Sequence, residues 1–96
     1  MKSLQELRDY SDSLPSRHAV GRIPEIREGK SPEMAVHCQG IRSELAGALD
    51  GAKSHALFGP PKIDFESFRK AQAAAGTYQH EVEAGVCSAP KAPKAP

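Results

Sequence analysis

The sequence predicts an all-α protein made of extended helices. Between residues 31 and 58, apolar side chains recur at steps of three and four, which is the period of a helix that buries one face. Residues suited to helix N-caps stand at Ser3 and Ser31. A proline pair then leads into a second amphipathic stretch. We therefore expect one long amphipathic helix, a proline turn and short helices, without a self-contained globular core.

Residues 1–14 are expected to form the first helix. Ser3 and Glu6 have the spacing of a capping box, and leucines repeat at helical spacing after them up to Pro15. Residues 15–30 contain glycines and prolines among alternating charges. We interpret this stretch as a connector, laid along the surface of another protein.

The main helix is predicted over residues 31–58. Ser31 supplies a capping hydroxyl, Pro32 suits the first helical position, and Glu33 places an acid where the helix dipole favours it. The apolar seam comprises Met34, Cys38, Ile41, Leu45, Ala48, Ala52 and His55, with Val36, Leu49 and Ala56 on its flanks. This heptad spacing predicts packing along a longer partner helix.

Glycines interrupt the main helix at positions 40, 47 and 51. Each costs roughly 1 kcal/mol of helix propensity relative to alanine. Either a neighbour approaches closely at these positions, or the glycines are tolerated on an exposed face. The sequence leaves both explanations open.

Residues 59–85 are predicted to form a proline turn followed by short helices. Pro60 and Pro61 fix their φ angles and end the preceding helix. Asp64 is then placed to cap a new helix, and the spacing of Phe65 and Phe68 puts two aromatic rings on one face. These features predict a docking element.

We expect this third helix to end near Ala75, with Gly76 in the left-handed conformation that terminates many helices. Thr77 is then expected to cap a further short helix that ends at Gly85. Residues 86–96 form an Ala/Pro/Lys tail, whose prolines favour an extended polyproline II form.

The apolar content predicts that other subunits complete the interior. Leu, Ile, Val and Phe number 17 among 96 residues, below the roughly 20% expected of a self-sufficient core. The alternative is a freestanding three-helix bundle with Phe58, Phe65 and Phe68 as ordinary core residues.

Charge and cysteine usage restrict the function classes. Thirteen basic residues nearly cancel twelve acidic ones, and they form no basic stripe, which argues against nucleic acid as the main partner. No apolar run approaches a membrane span, and residues 1–14 lack the apolar core of a secretory signal. Cys38 and Cys87 match neither a zinc site nor a disulfide-rich scaffold, and we expect two free thiols in a reducing compartment.

No catalytic, cofactor or metal site is predicted. The four histidines are too dispersed for a metal site, and the motifs of nucleophile elbows, phosphate loops and zinc helices are absent. Asp64 and Glu66 could form a carboxylate pair for acid-base chemistry. Helix capping explains both residues more simply, so we do not expect an enzyme.

The order of these features resembles subunit d of the mitochondrial ATP synthase. The likeness covers about residues 34–83: a long amphipathic helix, then Pro60-Pro61-Lys62-Ile63-Asp64-Phe65-Glu66-Ser67-Phe68-Arg69-Lys70, then Ala75-Gly76 and the acidic segment His80-Glu81-Val82-Glu83. Phe65 and Phe68 stand where Trp and Tyr are more usual in that family, and this chain is shorter than its familiar members.

The resemblance implies a non-catalytic component of the peripheral stalk, which packs beside subunit b and holds the catalytic head static. It also implies a location on the matrix side of the mitochondrial inner membrane. The residues expected to bind partner subunits are Met34, Ile41, Leu45, Leu49, Pro60, Pro61, Ile63, Asp64, Phe65 and Phe68.

Two other functions fit the same sequence. One is a small helical adaptor or inhibitor domain that binds a single partner through its aromatic face. The other is an accessory subunit of a different respiratory membrane complex, in which the proline-rich tail threads between neighbours.

Overall fold

The computed structural model describes residues 3–15, 23–52 and 64–90, and these contain four α-helices and no strand. The all-α prediction is therefore confirmed. The helices are α1 Leu4–Ser13, α2 Pro24–Arg27, α3 Pro32–Ala52 and α4 Phe65–Glu83.

The predicted caps start α1 and α3. The Ser3 hydroxyl accepts a hydrogen bond from the backbone N–H of Glu6 at 3.2 Å. The Ser31 hydroxyl accepts one from the N–H of Met34, also at 3.2 Å. Each hydroxyl satisfies a first-turn amide that has no partner within its helix.

Helices α3 and α4 lie antiparallel against each other. At one end the N–H of Asp64, just before α4, donates to the carbonyl of Ala52, the last residue of α3, at 3.1 Å. At the other end Cys38, near the start of α3, forms a disulfide with Cys87, which follows α4. Helix α1 packs on both long helices, and α2 packs on α3.

The chain encloses an apolar core of its own, so the expectation that it lacks one is wrong. The buried cluster is Leu7, Leu14, Cys38, Ile41, Leu45, Leu49, Ala71, Ala74, Ala75, Tyr78 and Cys87. The expectation counted only Leu, Ile, Val and Phe. Alanine, cysteine and tyrosine supply much of this core, and small alanine side chains let α4 approach α3 closely enough to enclose it.

Helix α4 is continuous through Gly76, so the predicted helix break at that position is wrong. The core-facing residues of α4 continue at steps of three and four on both sides of it: Phe68, Ala71, Ala75, Tyr78 and Val82. Packing of this stripe outweighs the helix propensity lost at one glycine. The helix ends instead at Glu83, and Gly85, just after its C-cap Ala84, has a φ of 78°.

The connector contains one helical turn that the sequence interpretation missed. Helix α2 begins at Pro24 and ends before Gly29, whose φ is 84°. Both Gly29 and Gly85 close a Schellman motif, in which the next residue's N–H bonds back across the last helical turn: Lys30 to Glu25 and Val86 to Glu81, each at 2.9 Å.

The glycines of α3 fall into both predicted classes. A Cβ added to Gly51 would lie 2.9 Å from the Ser67 hydroxyl of α4, so a close neighbour explains that glycine. At Gly40 and Gly47 an added Cβ would meet nothing within 4 Å. Those two glycines lie on the exposed side of the helix.

The tail begins inside the fold, because Cys87 and Ser88 are both buried. The expected proline turn at residues 59–63, the predicted end of the long helix at residues 53–58 and the proline-rich residues 91–96 lie outside the described residues.

Replacing Gly76 by alanine should stabilise the protein by about 0.5 to 1 kcal/mol, since the position is helical and open. Gly85→Ala is the matched control and should destabilise it by about 1 to 2 kcal/mol because of the positive φ. Urea unfolding of the purified chain measures both. Destabilisation by Gly76→Ala would show that the helix does break there.

Leu45→Ala should lower the free energy of unfolding by about 2 to 5 kcal/mol, because Leu45 is fully buried in the chain's own core. Val36→Ala, on an exposed side chain, should change it by less than about 0.5 kcal/mol. Thermal or urea unfolding of the isolated chain provides the measurement. A non-cooperative transition in the wild type would contradict a self-contained core.

Candidate functional site

The candidate site is the first turn of α4, where the sequence predicted a docking element. Asp64 caps the helix as expected: its carboxylate accepts hydrogen bonds from the Glu66 N–H at 3.1 Å and from the Ser67 hydroxyl at 2.9 Å. The hydrogen bond from Ser67 is the main reason that the pKa of Asp64 is lowered. Asp64 therefore holds the helix start in the ionised form and acts as a structural acceptor.

The two phenylalanines of this turn differ in environment. Phe68 is partly buried and packs against the core, whereas Phe65 is 68% exposed. Side chains in a helix point towards its N-terminus. The Phe65 ring is therefore directed towards the start of α4, the end at which the Asp64 N–H bonds to Ala52 of α3. Of the two rings that were predicted to form one docking face, only Phe65 is exposed, and its docking stays a prediction.

Phe65 heads a stripe of exposed residues along the side of α4 that faces away from α3. We call this stripe the outer face of α4; its members are Phe65, Arg69, Ala73, Gly76 and His80. Their spacing of four, four, three and four places them on one side of the helix. The nearby Lys70–Glu66 pair, at 3.9 Å, is exposed and contributes little to stability.

The structure separates the other residues that were predicted to bind partners. Ile41, Leu45 and Leu49 are buried against α1 and α4 of the same chain, so the seam of α3 is already occupied and the prediction that it packs on a partner is wrong. Met34 is 43% exposed, at the opposite end of α3 from Phe65. Pro60, Pro61 and Ile63 lie outside the described residues.

A buried charged network that the sequence analysis did not predict joins α2, α3 and α4. The guanidinium of Arg42 donates to both carboxylate oxygens of Glu25, at 2.9 and 3.0 Å, and to the hydroxyl of Tyr78 at 2.9 Å. Side-chain exposure is 4% for Arg42 and 0% for Glu25. The two-pronged geometry is the strongest form of such a pair.

Ser88 completes the network from the segment after α4. Its N–H donates to Glu25 at 2.7 Å, its carbonyl accepts from Tyr78 at 2.6 Å, and its hydroxyl donates to Glu28 at 2.7 Å. The available sequence signal was Arg42 itself, a charged residue directly beside the apolar seam. The hydrogen-bonded partners in this network could not be assigned from sequence, because they are distant along the chain. Arg42 is 17 residues from Glu25, and Ser88 is 63 residues from Glu25.

The network shifts the pKa values of its members. Burial alone would raise the pKa of Glu25, but hydrogen bonds from Arg42 and Ser88, with the charge of Arg42, outweigh burial and lower that pKa from 4.5 to about 2. Burial also raises the pKa of Tyr78. Glu25 is therefore a carboxylate and Tyr78 a neutral phenol at neutral pH, and both are enclosed by protein.

Cys38 and Cys87 form a disulfide, so the expectation of two free thiols is wrong. That expectation rested on the lack of a disulfide-rich cysteine pattern in the sequence. The antiparallel packing of α3 and α4 brings the two residues together at one end of the pair. Closing a loop of 49 residues stabilises a fold by about 2 to 4 kcal/mol.

Residues 3–15, 23–52 and 64–90 hold no cluster of three or more His, Cys, Asp or Glu side chains placed to bind a metal ion. Within the same residues, no helix combines the length and apolar character needed to cross a membrane.

Comparison with known proteins gives no relative. No protein-family model, no curated protein and no solved structure matches this chain.

The buried pair predicts loss of stability in acid. The pKa of Glu25 is about 2 in the folded chain, compared with 4.5 for an unperturbed glutamate. The stabilisation that ionised Glu25 gives to the folded state is therefore present above pH 4.5 and is lost as the pH falls towards 2. Glu25→Gln leaves Arg42 buried without its counter-ion and should cost about 3 to 5 kcal/mol at pH 7.

Urea unfolding of wild type and Glu25→Gln from pH 7 to pH 2 measures this dependence. The difference between the two proteins should be constant down to about pH 4.5 and then shrink. Glu44→Gln, at an exposed position, is the control for removing one carboxylate. A difference between wild type and Glu25→Gln that does not depend on pH contradicts the assigned pKa.

Proposed function

We propose that this chain is a non-catalytic protein-binding domain that docks a partner protein on the outer face of α4. The observation that carries the proposal is the 68% exposure of Phe65 on a helix turn that is rigidly held. Aromatic side chains contribute strongly to binding when a partner buries them. Here the backbone that carries the ring is already held before binding.

The anchoring of the α4 start supports this role. The bond from Asp64 to Ala52 and the contact of Gly51 with Ser67 fix the beginning of α4 on the end of α3. The backbone of such a turn loses little conformational freedom when a partner covers it. Phe65 is therefore better suited to docking than a similar residue on a free segment.

The strongly shifted ionisable groups support a structural role rather than a catalytic one. Glu25, Arg42 and Tyr78 are committed to one another and to Ser88 in the interior. A substrate could reach them only if the segment after α4 moved. Asp64 is exposed, but its carboxylate already caps the helix.

Phe65→Ala tests the proposal in the full chain. It should reduce recovery of the partner from the organism's own cells by at least about tenfold, while the free energy of unfolding stays within about 0.5 kcal/mol of wild type. Val36→Ala is the matched control, since Val36 is 66% exposed and lies near the other end of α3.

Recovery should be unchanged in the Val36→Ala variant. Equal recovery with wild type and Phe65→Ala would overturn the proposal, and so would equal loss with both variants. Cross-linking from a cysteine introduced at Arg69, followed by identification of the attached peptide, locates the partner's surface independently.

A second candidate is the stalk component of mitochondrial ATP synthase, located on the matrix side of the inner membrane beside subunit b. The observation that favours it is local. In the segment that resembles subunit d, Asp64 caps α4, Phe68 packs inward and Phe65 faces outward, an arrangement suited to attaching a helical subunit.

Two features of the fold oppose the stalk candidate. The helix break at Ala75-Gly76 that the resemblance implied is absent, because α4 is continuous there. The apolar seam of α3, which should meet a partner helix, is covered by other helices of the same chain. Identification of the proteins recovered with wild type but lost with Phe65→Ala separates the candidates. Stalk subunits support the second one, other respiratory subunits indicate an accessory role, and a single unrelated protein indicates an adaptor or inhibitor.

A further inference from the structure

The segment after α4, residues 86–90, begins with Val86 and Cys87, whose N–H groups bond to the Glu81 carbonyl at 2.9 and 3.2 Å. It is then held in place at two further points. One is the disulfide from Cys87 to Cys38 on α3. The other is Ser88, whose backbone and hydroxyl bond to Glu25, Tyr78 and Glu28. We call residues 86–90 the C-terminal clasp, because they close over the buried Arg42–Glu25 pair.

We propose that the Cys38–Cys87 disulfide is a redox-controlled lock on this clasp, which a dithiol reductant opens while the four helices stay folded. The proposal is independent of the docking function assigned to Phe65. It concerns the opposite end of the α3–α4 pair.

The geometry allows the clasp to move without unfolding α4. The helix is terminated by a Schellman motif at Gly85, and the backbone bonds that α4 receives from the clasp are those from the Val86 and Cys87 N–H groups to the Glu81 carbonyl, so opening the clasp releases one carbonyl of the last turn. Gly85 is exposed, and an added Cβ there would meet nothing within 4 Å. Rotation about this residue can therefore swing the clasp away and leave the packed faces of α3 and α4 in contact.

Opening has a defined consequence for the interior. Glu25 loses the N–H of Ser88, and water reaches the Arg42–Glu25 pair, which stays joined by its own two hydrogen bonds. Because both charges keep each other as partners, opening leaves neither ion buried alone. The covalent tie between the end of the chain and α3 is lost.

The reaction is a thiol-disulfide exchange with a small-molecule or protein dithiol. A thiolate of the reductant attacks the Cys87 sulfur, the bond between the two cysteines breaks, and Cys38 leaves as a thiolate that takes up a proton. The second thiolate of the reductant then displaces Cys87, which is also protonated. Two electrons and two protons pass to the protein, and the reductant leaves as a disulfide.

Cys38 and Cys87 are 0% and 5% exposed, so attack requires transient movement of the clasp. The hydrogen bonds of Ser88 should therefore control the rate of reduction.

Tyr78→Phe removes the hydroxyl that donates to the Ser88 carbonyl, and reduction by dithiothreitol should become several-fold faster. Tyr10→Phe is the matched control, since the Tyr10 hydroxyl bonds to Gln79 on the surface of α4; its reduction rate should equal that of wild type.

Amide hydrogen exchange of the full-length chain, followed by NMR, tests the lock directly. On reduction with dithiothreitol the Ser88 amide should exchange at least about tenfold faster, while the Leu45 and Ala75 amides keep their rates within about twofold. The double variant Cys38→Ser with Cys87→Ser should show the same pattern without reductant.

Each other result overturns the proposal. If all three amides accelerate together, the disulfide holds the whole fold and is no local lock. If none accelerates, hydrogen bonds alone keep the clasp closed. Failure of dithiothreitol to reduce the folded wild-type chain likewise rules out a redox lock, as does an equal reduction rate for Tyr78→Phe and Tyr10→Phe.

Discussion

The close antiparallel contact between α3 and α4 is the interaction on which the rest of the structure depends. Three alanines of α4 face the larger residues of α3, so the helix axes approach closely and little apolar material is needed to fill the space between them. The same contact places Asp64 beside Ala52 at one end and Cys87 beside Cys38 at the other. The presented aromatic and the covalent tie thus both follow from one helix pairing.

The Arg42–Glu25 pair explains how a helix of only four residues keeps its place. Helix α2 is too short to be stable by itself, yet its Glu25 is fully enclosed. Any shift of α2 along α3 would leave Arg42 buried without its counter-ion, a costly state. The pair therefore specifies the position of α2 on α3, although the Nε of Arg42 has no hydrogen-bond acceptor among the described residues.

Features that depend on neighbouring residues in sequence were predictable, and features that depend on the helix pairing were not. Ser3, Ser31 and Asp64 cap helices as expected, because a cap is decided within four residues.

Gly76 was misassigned because its local preference is overridden by core residues on both sides of it. The disulfide and the Glu25–Ser88 bond join residues 49 and 63 positions apart. The core was underestimated because alanine was not counted. For the candidate site, the Asp64 cap was predictable, whereas the exposure of Phe65 and the inward packing of Phe68 depend on how α4 packs in the fold.

The disulfide also bears on which partner class fits the molecule. Persistent structural disulfides are typical of oxidising compartments, and thiols stay reduced where glutathione and thioredoxin act. In the reducing matrix, a stalk component with this fold would therefore have either reduced cysteines and an open clasp, or a disulfide that burial protects from reduction. An adaptor in an oxidising compartment would keep the disulfide without such protection. Thiol trapping in intact cells before lysis distinguishes the two states. The oxidation state of Cys38 and Cys87 in the cell thus limits which partner classes are compatible with the proposed docking function, even though the proposed docking surface lies at the other end of the α3–α4 pair.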